Sequence, residues 1–216
     1  MWPWSKISLL TSALRAYAGD QVLSRVLTLG RAALEPIREP KVLTVMFVDI
    51  ASFSQSISMP GPADFARLIS DYLSMVVDCI LDHNGIVDTY QGTCIMAHWD
   101  SPVDACRCAN DIVRRINTAN TNGATEGLPQ PGIGINTGHV MIGNFGSKRR
   151  MAFAVMGDSV NLASRLCGLA YREYPHSILL TDRTRRVLPE SMQTVLLPSL
   201  ETKGSGEPIG IYALIT

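Results

Sequence analysis

Among the side chains that could do chemistry are one carboxylate, Asp49, and one amide–guanidinium pair, Asn161 and Arg165. Asp49 ends the apolar run Val45-Met46-Phe47-Val48. A carboxylate at the end of a buried strand is costly to desolvate unless it binds a cation or caps the next turn. The residues alone leave both readings open. Asn161 and Arg165 stand four apart, which on a helix puts both on one face and lets them enter one cleft. The plainer alternative is a buried amide beside a salt-bridging surface arginine. His98, next to Trp99 in a strand, and His139, in an expected tight turn, lack a ligand partner at useful spacing and are read as structural. Met141, Met151 and Met156 are read as core fillers. The five cysteines, Cys79, Cys94, Cys106, Cys108 and Cys167, are odd in number, and Cys106 and Cys108 are too close for a zinc-binding CxxC pair. They are expected to be reduced and mostly packed in the core of a cytosolic protein.

The elements that must carry these groups are legible in the hydrophobic pattern. Residues 1–40 read as a helical arm with a second helix starting at Gly19-Asp20, Asp20 as its N-cap, ended by Pro36 and Pro40. Residues 41–48 read as a buried strand with Asp49 at its end. Residues 61–83 form an amphipathic helix with Phe65, Leu68, Ile69, Tyr72, Leu73, Val76, Val77 and Ile80 inward. Strands 86–90 and 94–99 form a hairpin across Gln91-Gly92-Thr93. A helix over 102–120 and a polar loop over 121–131 follow. Strands 132–137 and 140–145 flank Gly138, and Gly146–Arg150 is a basic turn. A helix over 159–170, capped by Asp158, precedes strand 177–181, a short helix after Asp182, and strands 195–198 and 210–214. Strands and helices interleave with hairpins, so the expected fold is α/β of the α+β kind, an antiparallel-rich sheet with helices packed on it.

Composition narrows the partners. Lys+Arg is 19 and Asp+Glu is 19, so no basic excess argues for nucleic acid or an anionic membrane, and a chain without net charge associates with itself more easily. At 46% hydrophobic over 216 residues, the chain can build one core of ordinary size. Residues 2–17 are too short and too interrupted by Lys6 and Arg15 to span a bilayer, and no cleavable leader pattern is present. The chain is therefore expected in the cytoplasm or on a membrane surface, where Trp2 and Trp4 could sit at an interface; a dimerising helix is the other reading of the arm.

Four stretches carry a family resemblance: Phe47-Val48-Asp49-Ile50-Ala51-Ser52-Phe53; Gly132-Ile133-Gly134-Ile135-Asn136-Thr137-Gly138; Val155-Met156-Gly157-Asp158-Ser159-Val160-Asn161-Leu162-Ala163-Ser164-Arg165-Leu166; and Lys203-Gly204 with Glu207-Pro208 and Tyr212. In type and order they resemble the catalytic domain of class III adenylate and guanylate cyclases, over about residues 40–216. The division that follows is 1–40 as a helical extension and 41–216 as the cyclase homology domain.

The resemblance implies a ferredoxin-like βαββαβ core with extra elements, acting as a head-to-tail homodimer or heterodimer with a nucleoside triphosphate between chains. The family reaction is attack of a ribose 3′-hydroxyl on the α-phosphate, giving a 3′,5′-cyclic nucleotide and pyrophosphate. Two metal ions, Mg²⁺ or Mn²⁺, clamp the reacting oxygens. Asp49 takes the first metal position, the Ile50 carbonyl often joins it, Phe53 and Lys203 lie among substrate and phosphate contacts, and Asn161 and Arg165 orient the ribose and stabilise the transition state. Other positions depart from the pattern. With Gly92 fixing the hairpin register, Thr93 stands where the second metal aspartate belongs, and Thr89 where the base-reading lysine belongs. Ala154 stands at the other base-reading position. Ser205 replaces a triphosphate-binding lysine, although the Lys203-Gly204-Ser205-Gly206 loop can still offer N–H groups to a phosphate. One carboxylate holds a metal weakly, with help from the nucleotide. Three functions follow from this: a divergent cyclase, a pseudo-cyclase that binds nucleotide or regulates, or the half of a heterodimer that brings Asn161 and Arg165.

Overall fold

The computed structural model describes residues 4–50, 61–121, 128–147, 149–170, 172–200 and 208–216. In chain order these form α1 (Trp4–Leu29), a 3-10 turn (Gly30–Leu34), β1 (Arg38–Ile50), α2 (Pro62–Asp82), β2 (Ile86–Gln91), β3 (Cys94–Trp99), α3 (Pro102–Thr121), β4 (Pro131–Ser147), β5 (Arg150–Met156), α4 (Asp158–Leu169), β6 (Ile178–Thr181), α5 (Asp182–Arg185), β7 (Thr194–Leu200) and β8 (Ile209–Leu214). The strands join in the order β2-β3-β1-β4-β6-β8-β7, with β5 paired to β4. The pairs β1–β3, β2–β3, β4–β5, β6–β8 and β7–β8 are antiparallel, and β4–β6 is parallel. The run β1-α2-β2-β3-α3-β4 with strand order 2-3-1-4 is the expected ferredoxin-like unit.

The chain divides into two compact units, Val42–Val140 with Gly157–Thr216, and Met1–Lys41 with Met141–Met156. The larger unit holds the main core. Met46, Tyr72, Ile80, Ile95, Ile112, Ile116, Ile133 and Ile135 are all fully enclosed there, each of the isoleucines and Met46 contributing roughly 1.5–3 kcal/mol of burial. The inward stripe expected on α2 is the one observed: Tyr72, Val76 and Ile80 are buried and Phe65, Leu68, Ile69, Leu73 and Val77 pack against the core.

Glycine decides how α4 meets the sheet. A Cβ on Gly134 would collide with the backbone of Ala163 and Cys167, so the axis of α4 can lie directly on β4 only because Gly134 has no side chain. A hydroxyl ladder anchors the same junction. Thr44 and Thr137 share a hydrogen bond of 3.0 Å, as do Thr137 and Thr184, while Thr181 donates to Asn136 Oδ1 at 2.8 Å and Asn136 Nδ2 donates to the Ser159 carbonyl at 2.9 Å. These buried polar groups satisfy one another, which fixes the start of α4 relative to β4 and β6.

In the smaller unit α1 breaks at Gly19 (φ 81, ψ 162), where a second helix was expected. Asp20 lies past the break, and its carboxylate takes Arg15 at 2.7 Å. Asn144 donates to the Ala33 and Glu35 carbonyls at 2.8 and 2.6 Å and so ties the 3-10 turn to β4.

Several expectations need correction. The strands around Gly138 are one strand, β4; Gly138 there accommodates the Ser159 side chain instead of making a turn. His139 is therefore an exposed strand residue and not part of a tight turn. Strand β5 was read only as sequence following a basic turn, because Arg150-Met151-Ala152-Phe153 has no clean alternation. Met141, Met151 and Met156, taken as core, are 38%, 37% and 46% exposed. Pro40 lies in the exposed beginning of β1 and ends no helix, which suits a residue that cannot donate to a ladder. The N-cap of α4 is Gly157 (φ 145), without a side-chain cap, and Asp158 is the first helical residue, where its charge meets the helix dipole.

Candidate active site

The end of β1 and the β2–β3 hairpin bring Asp49 and Thr93 together. Gly92 takes a positive φ of 66 at the turn, and this places Thr93 in the turn directly before β3. The Thr93 hydroxyl donates to Asp49 Oδ1 at 2.8 Å, with both side chains half-buried. Tyr72 lies beneath them on α2. Its phenol is fully enclosed without a hydrogen-bond partner among the described residues. Burial, and next the charge of Asp49, push its pKa well above the ordinary phenol value. Cys94, next to Thr93, meets Cys167 of α4. Their hydrogen bond is the main influence on both, holding Cys94 below the usual thiol value and Cys167 above it. Cys167 also donates to the Gly132 carbonyl at 3.1 Å.

The other pair lies elsewhere on α4. Asn161 and Arg165 are both exposed, along with Asp158, Ser164 and Gly168, on one stripe of the helix. The amide is thus not buried, and Arg165 makes no ion pair among the described residues. Arg165 and Cys167 are two residues apart, about 200° around the helix. Cys167 faces the Asp49 pocket, so Arg165 and Asn161 turn away from it. The structure brings Asp49 to Thr93 and Asn161 to Arg165, and keeps the two pairs on opposite sides of α4.

Ile50 is the buried last residue of β1. Thr89 is half-buried on β2, opposite Met96 at a register shift. Ala154 is half-buried on β5, opposite Gly143, in the smaller unit. Phe53, Lys203 and Ser205 lie outside the described residues. His98 is buried in β3.

The donor set can be tested against the two ions that the resemblance implies. Hard divalent ions want several anionic oxygens. Among the described residues Asp49 is the one carboxylate here, and one of its oxygens already accepts from Thr93. The adjacent hydroxyl and phenol are neutral, and no group of three or more His, Cys, Asp or Glu suits a metal among the described residues. These residues do not fit a two-ion site.

Sequence reasoning missed a buried charge cluster far from Asp49. Asp111 on α3 is 9% exposed and is held by Arg114 and by Arg115 at 3.0 Å, with Cys79 donating at 3.6 Å. Burial opposes its ionisation, yet the Arg114 hydrogen bond and the charges of Arg115 and Arg114 outweigh burial and hold its pKa below the usual carboxylate value. The Arg–Asp spacings i,i+3 and i,i+4 were the available signal. Burial pushes the Cys79 and Cys106 thiols up to about 12, so they are inert packing groups.

This sheet, with a helix seated on glycines of its central strand and an aspartate at the end of β1, defines a class. The profile described as "Adenylate and Guanylate cyclase catalytic domain" matches residues 36–215, and the chain belongs to that class III family. It is 29% identical over 195 residues to "Adenylate cyclase 1" of Rhizobium meliloti, covering 86% of this chain and 28% of that protein. It is 33% identical over 186 residues to the "Adenylate cyclase" of Anabaena cylindrica, covering 79% and 36%. The chain thus spans about a third of the length of these relatives. Among solved structures, the adenylyl cyclase CyaB from P. aeruginosa matches with a TM-score of 0.73 at 25% identity, over 83% of this chain and 96% of that one. A bacterial light-regulated adenylyl cyclase matches with a TM-score of 0.84 at 23% identity, over 97% and 62%, a likeness of fold.

Proposed function

We propose that this chain is a nucleotide cyclase domain whose homodimer is impaired in converting a nucleoside triphosphate, typically ATP in the family, to a 3′,5′-cyclic nucleotide and pyrophosphate. The observation that carries the proposal is the Thr93 hydroxyl at 2.8 Å from Asp49, a neutral group where a second carboxylate would complete an ion-binding pair. Asp49 and the Ile50 carbonyl would hold one Mg²⁺ or Mn²⁺ weakly, the triphosphate supplying most of the oxygens. Phe53 and Lys203 are assigned to substrate and phosphate contacts, with Ser205 a weak replacement for a cation. Thr89 and Ala154 offer no charged or paired reader of a base, so no base preference is assigned.

Dimerisation is part of the proposal. Asn161 and Arg165 point away from Asp49 within one chain, so a site using both pairs takes Asp49 from one chain and α4 from another. Homodimers would then carry two sites, each one carboxylate short. A second reading is favoured by the exposed, intact Asn161–Arg165 pair: the chain serves as the α4 donor in a heterodimer with a cyclase domain that keeps both aspartates. A regulatory pseudo-cyclase is the outcome if neither assembly turns over. We assign the cytoplasm or its membrane surface as the location; no helix among the described residues is long and apolar enough to cross a membrane.

The test incubates the full chain with Mn²⁺ and each of the four ribonucleoside triphosphates, alone and mixed with a two-aspartate cyclase domain whose own Asn and Arg are removed, and reads products by mass spectrometry. Activity only in the mixture supports the heterodimer reading. Brisk turnover of the chain alone would refute impairment.

A further inference from the structure

The basic turn seen in the sequence has no part in the proposed reaction. Arg149 and Arg150 line a cavity of about 300 Å³ in the smaller unit, together with Arg25 of α1 and an apolar wall that includes Val22, Val26 and Phe153. No carboxylate among the described residues lines it. The Arg25 guanidinium lies 4.4 Å from the centroid of the Phe153 ring, and none of the three arginines has an ion pair among the described residues. Three like charges around one concavity repel one another, and an anion relieves that repulsion. Whole-chain neutrality conceals the imbalance: the smaller unit has nine Lys/Arg against three Asp/Glu, and the larger has ten against sixteen.

We propose that this cavity binds a small amphiphilic anion. Its carboxylate would sit among Arg25, Arg149 and Arg150, and its apolar body against Val22, Val26 and Phe153. The volume lies at the small end of ligand sites, enough for a body of about ten carbons. Arginine favours such a head group because its planar fork binds both oxygens. The binding proposal stands independently of the cyclase reading.

Calorimetry on the full chain tests it, with decanoate as probe and decanol, decylamine and acetate as controls. Decanoate should bind one per chain, and each control at least about tenfold more weakly, since loss of either charge complementarity or apolar contact removes a charged hydrogen bond or a buried wall. Arg149→Gln with Arg150→Gln should weaken decanoate by at least about tenfold. Both side chains are exposed, so this variant keeps the fold, and unchanged thermal unfolding checks that it does. Arg25→Gln should weaken it similarly. Decanol binding as well as decanoate, no decanoate binding, or wild-type affinity in the double variant would each overturn the proposal. Binding to vesicles of anionic phospholipid without binding of decanoate would overturn it too, and would mark this face as a membrane surface.

Discussion

Thr93→Asp replaces a neutral donor, 2.8 Å from Asp49 Oδ1, with a second carboxylate. Two like charges about 4 Å apart at an effective dielectric of 20 repel by about 4 kcal/mol. Both positions are half-buried, and sharing a proton limits the cost, so a loss of about 2 kcal/mol is expected without metal. For a chain of this size that lowers Tm by about 4–8 °C. Mn²⁺ should reverse the loss: an ion at a hundredfold its Kd contributes about 2.7 kcal/mol. Wild type should gain little from Mn²⁺ unless a triphosphate is present. The assay is thermal unfolding of both proteins with and without Mn²⁺, followed by product analysis. The variant should also acquire metal-dependent turnover, with base selectivity still poor until Thr89→Lys and Ala154→Asp are added. A variant that melts like wild type and ignores Mn²⁺ would refute the facing geometry of Thr93 and Asp49. Strong Mn²⁺ stabilisation without turnover would refute the claim that the missing carboxylate is what silences the homodimer.

Three further outcomes test other parts of the structure. In the Thr93→Asp background, Asn161→Ala or Arg165→Ala should abolish turnover while nucleotide binding, measured by calorimetry, changes little, because these groups act on the transition state. Gly134→Ala should cost about 3 kcal/mol in urea unfolding, since its methyl meets the α4 backbone at Ala163 and Cys167, which cannot move aside as a side chain would. Asp111→Asn should cost about 2 kcal/mol at pH 7 by uncoupling Arg114 and Arg115. The folded-state pKa of Asp111 lies below its unfolded value of about 3.9, so its stabilisation is complete above that value and lost as pH falls through the folded one. Stability measured from pH 6 to pH 2 should therefore fall less steeply in the variant.

The sequence was informative where one period dominates. The stripe on α2 and the apolar run of β1 gave both elements, and family motifs supplied their order. The resemblance, aligned on Gly92 of the hairpin, put Asp49 and Thr93 in one site, and the two side chains do meet. Strand β5 escaped because its residues do not alternate and Gly146–Arg150 reads as a basic turn, although the strand pairs with β4 directly across that turn, Ser147 opposite Arg150. His139 was misplaced for a related reason: glycine at 138 signals a turn locally, whereas its real role is to admit Ser159 from a helix twenty residues on. The exposed methionines of β4 and β5 show that apolar type does not settle burial when an element stands at the edge of a small unit. Asp111 was overlooked because neutralising partners on its own helix make a buried carboxylate look like an ordinary solvated charge.

If the chain pairs head to tail as proposed, the two sides of α4 can be lost separately. In a head-to-tail pair, a chain that forfeits the Asp49 side still donates an intact Arg165 side to its neighbour. Such a lesion behaves in genetics as complementable: two chains, each silent alone, restore one working site when co-expressed. A mixed pair then has half the sites of a fully competent dimer, and output peaks at equal doses of the two chains. A duplicated copy can therefore decay on one face under relaxed selection while selection for its partner's activity preserves the other.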